Sequence, residues 1–231
     1  MTKGQTQPSF LVLDDFLDED AWTEVWTMFQ FAELAPVTRT AGAWKLDDGV
    51  PLGGDEIVTP PRDAELPEAP EREGLFPSGT ALDRVVEALL GHAASCAPLV
   101  GTNWSHVTAR PYVYPAGTGL SWHGDDSALY TGAYIYYAHP HWNAHWGGEL
   151  LVAEAAGAED LPIMAHRFDD EEYSVALMER GEGRFVMPKP NRLVVLGGAP
   201  HMVTPIRAAA GSNVRASVSG FFLREPITGE R

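Results

Sequence analysis

His123 and Asp125 stand two residues apart in Gly119-Leu-Ser-Trp-His-Gly-Asp125, at the end of a segment that reads as a strand. In an extended chain residues i and i+2 face the same side, so this imidazole and this carboxylate can reach one metal ion together. Two histidines and one carboxylate form a facial set of ligands that leaves positions open on iron(II), and the pair therefore needs a second histidine from elsewhere. His201, which opens the run His201-Met-Val-Thr-Pro205, is the candidate. A His-x-Asp pair is common by chance, and its plain reading is a hydrogen-bonded surface feature. Further residues have to carry the chemistry.

Arg215-Ala-Ser217-Val-Ser219 supplies them, because a period of two places all three polar side chains on one face of a strand. Arginine presents a planar fork of donors that matches a carboxylate, and serine adds another donor, so this strand can anchor a dicarboxylate beside the metal. Arg207 is the other arginine that could serve. The plain alternative is an exposed strand face. Asp126 adjoins Asp125 and points to the opposite side, toward substrate or solvent, and Trp122 either lines the pocket or packs. The run His139-Pro-His141-Trp-Asn-Ala-His145 holds three histidines in a spacing that fits no zinc pattern, and Trp142 with Trp146 is expected to pack at a rim. Gly119-Leu-Ser-Trp-His123 lacks the second glycine of a nucleophile elbow, and Gly117-Thr-Gly119 lacks the third glycine of a dinucleotide loop.

Elements that could position these groups follow from patterning. Phe10 to Leu13 reads as a strand, and Trp22, Val25, Trp26 and Phe29 recur at helical spacing in Ala21 to Phe31, with the acidic stretch Asp14 to Asp20 suited to that helix's N-terminus. Pro36 to Pro77 is rich in Pro, Gly and acidic residues and reads as a long loop. Ser78 is placed to cap a helix from about Thr80 to Cys96, with Leu82, Val85, Val86, Leu89 and Leu90 on its apolar face. Short strands follow at Trp104 to Tyr114, Tyr130 to Ala138, Glu149 to Ala153, Arg184 to Met187, Arg192 to Leu196, His201 to Pro205 and Val214 to Leu223. A polar, partly helical insertion, Ala155 to Gly183, interrupts them. Helices first and strands later predict a mainly β fold with helical support (α+β): an antiparallel sandwich or barrel with helices on one side. No linker calls for two domains, so residues 1–231 read as one, with 101–231 as its β core.

Composition narrows the partners. The 231 residues carry 32 Asp plus Glu against 16 Lys plus Arg, a net charge of −16, which repels nucleic-acid backbones and anionic membrane surfaces. Apolar residues make up 45%, ample for a buried core. Cys96 is the single cysteine, which excludes an intramolecular disulfide and a cysteine zinc site and leaves a buried thiol as its expected role. MTKGQTQPSF has no apolar core of signal-peptide length, and no run approaches the roughly 20 apolar residues of a membrane span, so a cytoplasmic location is expected.

The order His123-x-Asp125, His201, then Arg215 with Ser217 resembles the iron(II)/2-oxoglutarate-dependent dioxygenases, and its details are similar to the prolyl-hydroxylase branch. Tyr114-Pro-Ala-Gly-Thr-Gly resembles that family's Tyr-Pro-Gly turn ahead of the first metal ligand. Ala133-Tyr-Ile-Tyr-Tyr137, the loop His139 to Trp146 and Gly147-Gly148-Glu149-Leu150 resemble the strand, loop and strand that follow, and Pro188 to Leu196 resembles the strand before the second histidine. The likeness spans about Tyr112 to Leu223. Two departures are the 14 residues from His201 to Arg215, a long interval, and Phe221 where some members have tryptophan.

The resemblance implies a double-stranded β-helix (jelly-roll, cupin-like) core with the N-terminal helices packed on one sheet. It implies iron(II) on His123, Asp125 and His201, and 2-oxoglutarate held by Arg215 and Tyr114 with Ser217 and Tyr137. Dioxygen is then the oxidant and ascorbate a supportive reductant, with C–H oxidation releasing succinate and carbon dioxide. The carboxylate of Asp125 disfavours halogenation, whose enzymes keep that position for chloride. A small-molecule or amino-acid-derived substrate is expected, with a peptidyl residue as the alternative, and Trp122, Asp126 and Trp44 are candidate substrate contacts, with Lys45 and Arg167 for a substrate carboxylate. From another class, a non-oxidative metal-binding β-barrel could use the same ligands. Oligomeric state is not legible.

Overall fold

Alternation of apolar side chains decides the architecture. In Arg192–Leu196 (β11), Leu193 and Val195 take one face, Val194 and Leu196 the other, and all four are buried. Tyr130–Tyr137 (β8) repeats this, with Tyr134 and Tyr136 opposite Ile135 and Tyr137. Strands buried on both faces belong in the middle of a layered structure. The computed structural model, which describes residues 9–37, 47–62, 64, 73–125, 129–153 and 171–224, arranges such strands in two antiparallel sheets.

The larger sheet runs in the order Phe10–Leu13 (β1), β11, β8, Arg215–Leu223 (β13), His106–Tyr114 (β6), Leu52–Gly53 (β4) and Ala35–Pro36 (β2), and Ile57–Val58 (β5) also pairs with β6. The smaller runs Gly183–Val186 (β10), Leu150–Ala153 (β9), His201–Val203 (β12), Gly119–His123 (β7) and Asp47–Asp48 (β3). Ile135, Tyr137, Val194 and Leu196 of the larger sheet and Leu120, Leu150, Val152 and Val203 of the smaller form one core between them. This is the double-stranded β-helix arrangement. The outer face of the larger sheet is covered by helices, as expected: Glu19–Phe31 (α1), Leu82–Gly91 (α2) and Ala93–Val100 (α3) bury Val25, Phe29, Val85, Leu89 and Cys96 against Tyr136, Val195 and Val218. Cys96 is fully buried there, and desolvation pushes its thiol up to about 11, so it packs as an inert apolar group.

Three local expectations change. The Pro36–Pro77 segment is not loop throughout: its described part carries β3, β4 and β5, each of two residues, hydrogen-bonded to core strands. Two residues are too few to show a period, so only the neighbouring strand reveals them. The helix expected from Thr80 to Cys96 breaks at His92 into α2 and α3, the second carrying Pro98 and ending at Gly101 with φ +71°. Ser78 does not cap it. The backbone N–H groups of Ser78 and Gly79 instead donate to the Asp83 carboxylate at 2.9 and 2.8 Å, so a side chain inside the first turn satisfies the approach. Within the expected insertion, Glu171–Arg180 (α4) is helical, and 154–170 lie outside the described residues.

One buried residue ties the N-terminal segment to the sheets. Asn191 adopts φ +55°, a region open to Asn, and its side-chain oxygen accepts from Leu17 N at 3.0 Å and Tyr136 Oη at 3.1 Å, while its Nδ2 donates to Leu17 O at 2.8 Å. Asn191→Ala loses these bonds and adds strain at positive φ; it is expected to cost about 2–4 kcal/mol. Asn191→Gly keeps the conformation and should cost less. Denaturant midpoints of the two variants measure the difference.

Candidate active site

Register brings the metal ligands together. β12 pairs antiparallel with β7 so that His201 lies directly opposite His123, and the two imidazole centroids are 4.2 Å apart. β7 ends at His123, and Asp125 follows just beyond the strand, its carboxylate turned back to His201 Nε2 at 3.2 Å and His123 Nε2 at 3.9 Å. Convergence therefore comes from the chain leaving the strand, where the sequence suggested two side chains on one strand face. The Nδ1 atom of each histidine lies close to a carbonyl of its own segment, Ser121 O at 2.7 Å and Ala199 O at 3.0 Å. An Nδ1–H donated there fixes the tautomer that presents Nε2 as a ligand. All three residues are buried, and their ligand atoms lie within 4.8 Å of one another, which makes them the metal-ligating cluster among the described residues. A borderline-hard N2O set with open positions suits iron(II).

Across the cavity, the larger sheet supplies an anchor. Arg215, Ser217, Ser219 and Phe221 occupy alternate positions of β13 and line the same cavity as the triad. Arg215 is 2% exposed, yet its Nε and Nη2 have no hydrogen-bond partner, and neither has the buried hydroxyl of Tyr137. The guanidinium lies 4.8 Å from the Tyr137 ring and 5.4 Å from that of Tyr114, its register partner on β6. Ring faces offset part of the charge, but buried donors left open call for an acceptor. A carboxylate fits that gap, so the residues present suit a small dicarboxylate that also reaches the metal. Arg207, the other arginine considered, is exposed and outside the cavity.

Other expected positions fall elsewhere. Trp122, one residue from His123, takes the opposite strand face and lines a separate cleft with Leu151, Leu177, Met178 and Phe185. Trp44, Lys45, Asp126 and Arg167 lie outside the described residues. The histidine-rich loop makes no metal cluster among the described residues: His141 and His145 are exposed, and Trp142 stacks edge-on against Trp146 at 5.3 Å. His139 is buried behind the anchor, with Nε2 2.8 Å from Pro188 O and Nδ1 3.2 Å from Ala216 O. Burial pushes it down to about 4, and the nearby Arg215 charge acts the same way against the two carbonyls. Tyr112, Glu56 and Phe221 line the cavity without having been singled out as site residues. For Glu56 the sequence holds no signal, since only the pairing of β5 with β6 carries it there.

Two facing sheets with a buried His-x-Asp…His centre define a site for one metal ion with coordination positions left open. The family model described as 2OG-Fe(II) oxygenase superfamily matches residues 109–223, about half of the chain, and the chain belongs to this superfamily of oxidoreductases. Among curated proteins none matches in sequence. In structure the chain is similar to a Pseudomonas putida prolyl-4-hydroxylase, at 18% identity over 94% of each chain with a TM-score of 0.58. It is also similar to a Trichoplax adhaerens prolyl hydroxylase solved with a hypoxia inducible factor peptide fragment (16% identity, 94% of this chain and 84% of that one, TM-score 0.57). A third likeness is to HygX from Streptomyces hygroscopicus with nickel, 2-oxoglutarate and hygromycin B (12%, 97% and 86%, 0.57). At these identities the likeness is one of fold.

Two outcomes are expected. Gly148 sits at φ +76°, and a Cβ there would lie 2.7 Å from Ile206 Cδ1 and 3.1 Å from Arg215 Cδ. Gly148→Ala should therefore lower stability by about 1–3 kcal/mol and weaken 2-oxoglutarate binding together, read by thermal melting and titration. His139 is held below its ordinary 6.5, so the unfolded chain takes up its proton first as pH falls. The metal-free protein should lose ~1.4 kcal/mol per pH unit from this group between about 6.5 and about 4, with no contribution above that window. The difference in denaturation midpoint between wild type and His139→Gln across that range isolates it.

Proposed function

We propose that the protein hydroxylates an unactivated C–H bond of a small-molecule or amino-acid-derived substrate. The observation that carries this is the pairing, in one cavity, of a buried His123-Asp125-His201 triad with the open donors of Arg215. Iron(II) with 2-oxoglutarate and dioxygen, when bound, supplies the oxidising equivalent and releases succinate and carbon dioxide. The chain's own residues do the rest. His123, Asp125 and His201 hold the metal with three ligands, which leaves positions for cosubstrate and oxygen. Arg215, with the hydroxyls of Tyr137, Tyr114 and Ser217, holds the far carboxylate by charge-assisted hydrogen bonds. Leu120, Ile135, Leu196 and Val203 wall the cavity and keep water from the centre. The triad residues are at most 4% exposed, which favours a slender reacting group. A peptidyl substrate of the prolyl type is the second reading, supported by the fold shared with the two prolyl hydroxylases.

Anaerobic titration of the metal-free protein with iron(II) and then 2-oxoglutarate tests the core of this reading. Wild type is expected to develop the visible iron-to-oxo-acid charge-transfer band, and His201→Ala to show none. Arg215→Ala should bind iron normally and require ten- to a hundredfold more 2-oxoglutarate, the loss of a charge-assisted contact worth roughly 1.5–3 kcal/mol. Iron binding without a band in wild type would remove 2-oxoglutarate from the mechanism.

A further inference from the structure

The donors that receive the far carboxylate are not aimed by hydrogen bonds of their own. Arg215 Nε and Nη2 and the Tyr137 hydroxyl are buried and make none within the protein, so the groups packed against them fix where they point. A side chain that must be ordered at the moment of binding costs affinity, whereas one already held in place does not. The packing behind these two residues therefore sets how tightly the carboxylate is bound.

His139 converges on both. Its ring centroid lies 6.0 Å from that of Tyr137, at 48°, and 4.8 Å from Trp142, at 46°. The Arg215 guanidinium rests 4.8 Å over the same Tyr137 ring. Trp142 meets Arg215 at Gly148: a Cβ on that glycine would stand 3.1 Å from Arg215 Cδ and 3.4 Å from Trp142 Cζ2, so the arginine stem and the indole flank one point. The indole is itself fixed, with Nε1 donating to Gly147 O at 3.0 Å. His139 does not line the cavity, and it acts through these neighbours.

One proton fastens the ring. Burial keeps His139 neutral, so one nitrogen donates and the other carries a lone pair. Ala216 O, 3.2 Å from Nδ1, already accepts from Ala138 N at 3.0 Å, whereas Pro188 O, 2.8 Å from Nε2, has no other donor among the described residues. The proton therefore belongs on Nε2. Its bond to Pro188 O ties the ring to the segment between β10 and β11, while Nδ1 abuts the backbone of β13 at the residue after Arg215.

We propose that His139 is a positioning residue for the cosubstrate anchor: fixed at Pro188 O, its ring holds Tyr137 and Trp142 in place, and these keep the Tyr137 hydroxyl and the Arg215 guanidinium aimed at the far carboxylate of 2-oxoglutarate. The assignment rests on the reading above that Arg215 and Tyr137 hold 2-oxoglutarate, and it adds a residue outside the cavity.

Two probes separate the anchor from the metal. 2-Oxoglutarate and 2-oxobutyrate present the same 2-oxo acid, but 2-oxobutyrate has no far carboxylate, so the ratio of their affinities reads the anchor alone. Both are titrated calorimetrically into the zinc(II)-loaded protein. Wild type should prefer 2-oxoglutarate by roughly tenfold or more. His139→Leu fills the space without a donor and should weaken 2-oxoglutarate roughly three- to tenfold while 2-oxobutyrate stays within about twofold. His139→Gln, whose amide can donate to Pro188 O, should recover most of the loss. A role confined to stability would lower the melting temperature and leave the ratio as it is. Melting curves establish which variants fold; if His139→Leu does not, Trp142→Phe, at a half-buried position, is read in its place and should show the same selective loss. An unchanged ratio in the folded variant, equal weakening of both probes, or a His139→Gln protein no better than His139→Leu would each overturn the assignment. When wild type prefers 2-oxoglutarate and the variant keeps that preference, the positioning role alone falls. No preference in wild type removes the 2-oxoglutarate anchor, and the assignment with it.

Discussion

A guanidinium buried without a carboxylate partner is the constraint on which this molecule depends. Removing such a charge from water costs several kcal/mol even after relaxation, and breaking its compensation leaves the full penalty. Arg215 sits in that position, 2% exposed, with two nitrogens open. What surrounds it is arranged for the absent negative charge. Tyr114 and Tyr137 present ring faces, Gly148 gives up its side chain beside the arginine stem, and His139 is kept neutral behind it. A protonated His139 would place two cations side by side in one low-dielectric region. A dianionic cosubstrate thus contributes to the stability of this core as well as to its chemistry, by linkage.

The two sheets divide the work between them. Both histidine ligands come from the smaller sheet, from strands in register at His201 and His123, and the anchor comes from the centre of the larger one. β13 lies between β6 and β8 along most of its length, and at Gly220 the approach is so close that a Cβ would overlap Thr108 O. Helices α1 to α3 then back that sheet with a continuous apolar layer. The anchor cannot drift relative to its neighbours. Distance between metal and anchor is therefore set by the packing of sheet on sheet, through Ile135, Val194 and Leu196 against Leu150, Val152 and Val203.

Much of this was legible in the sequence because it is periodic. Alternation along β8, β11 and β13 is long enough to show which face each side chain takes, and the row Arg215, Ser217, Ser219 reads directly as a cavity-facing line. The His-x-Asp spacing and the later histidine brought the metal ligands within reach of inference, though not the turn that bends Asp125 back. What stayed illegible has no period or depends on partners. The two-residue strands β3, β4 and β5 exist only because a core strand accepts their hydrogen bonds, whereas the break at His92 carried a local signal in Gly91, the last residue of α2. Trp122 misleads for a related reason: proximity in sequence to a ligand means the opposite face in a strand.

Chemistry and selectivity are consequently drawn from different parts of the chain. Metal and cosubstrate groups lie on long central strands, where register and packing on both faces hold each side chain to a single direction. β5 is an added segment held to β6 by backbone pairing and by Ile57, which is buried in the core, while the exposed positions beside it can change without disturbing those strands. Edge additions of this kind let one oxidising centre meet different substrates, and the residues that select the substrate need no pattern that the fold itself requires.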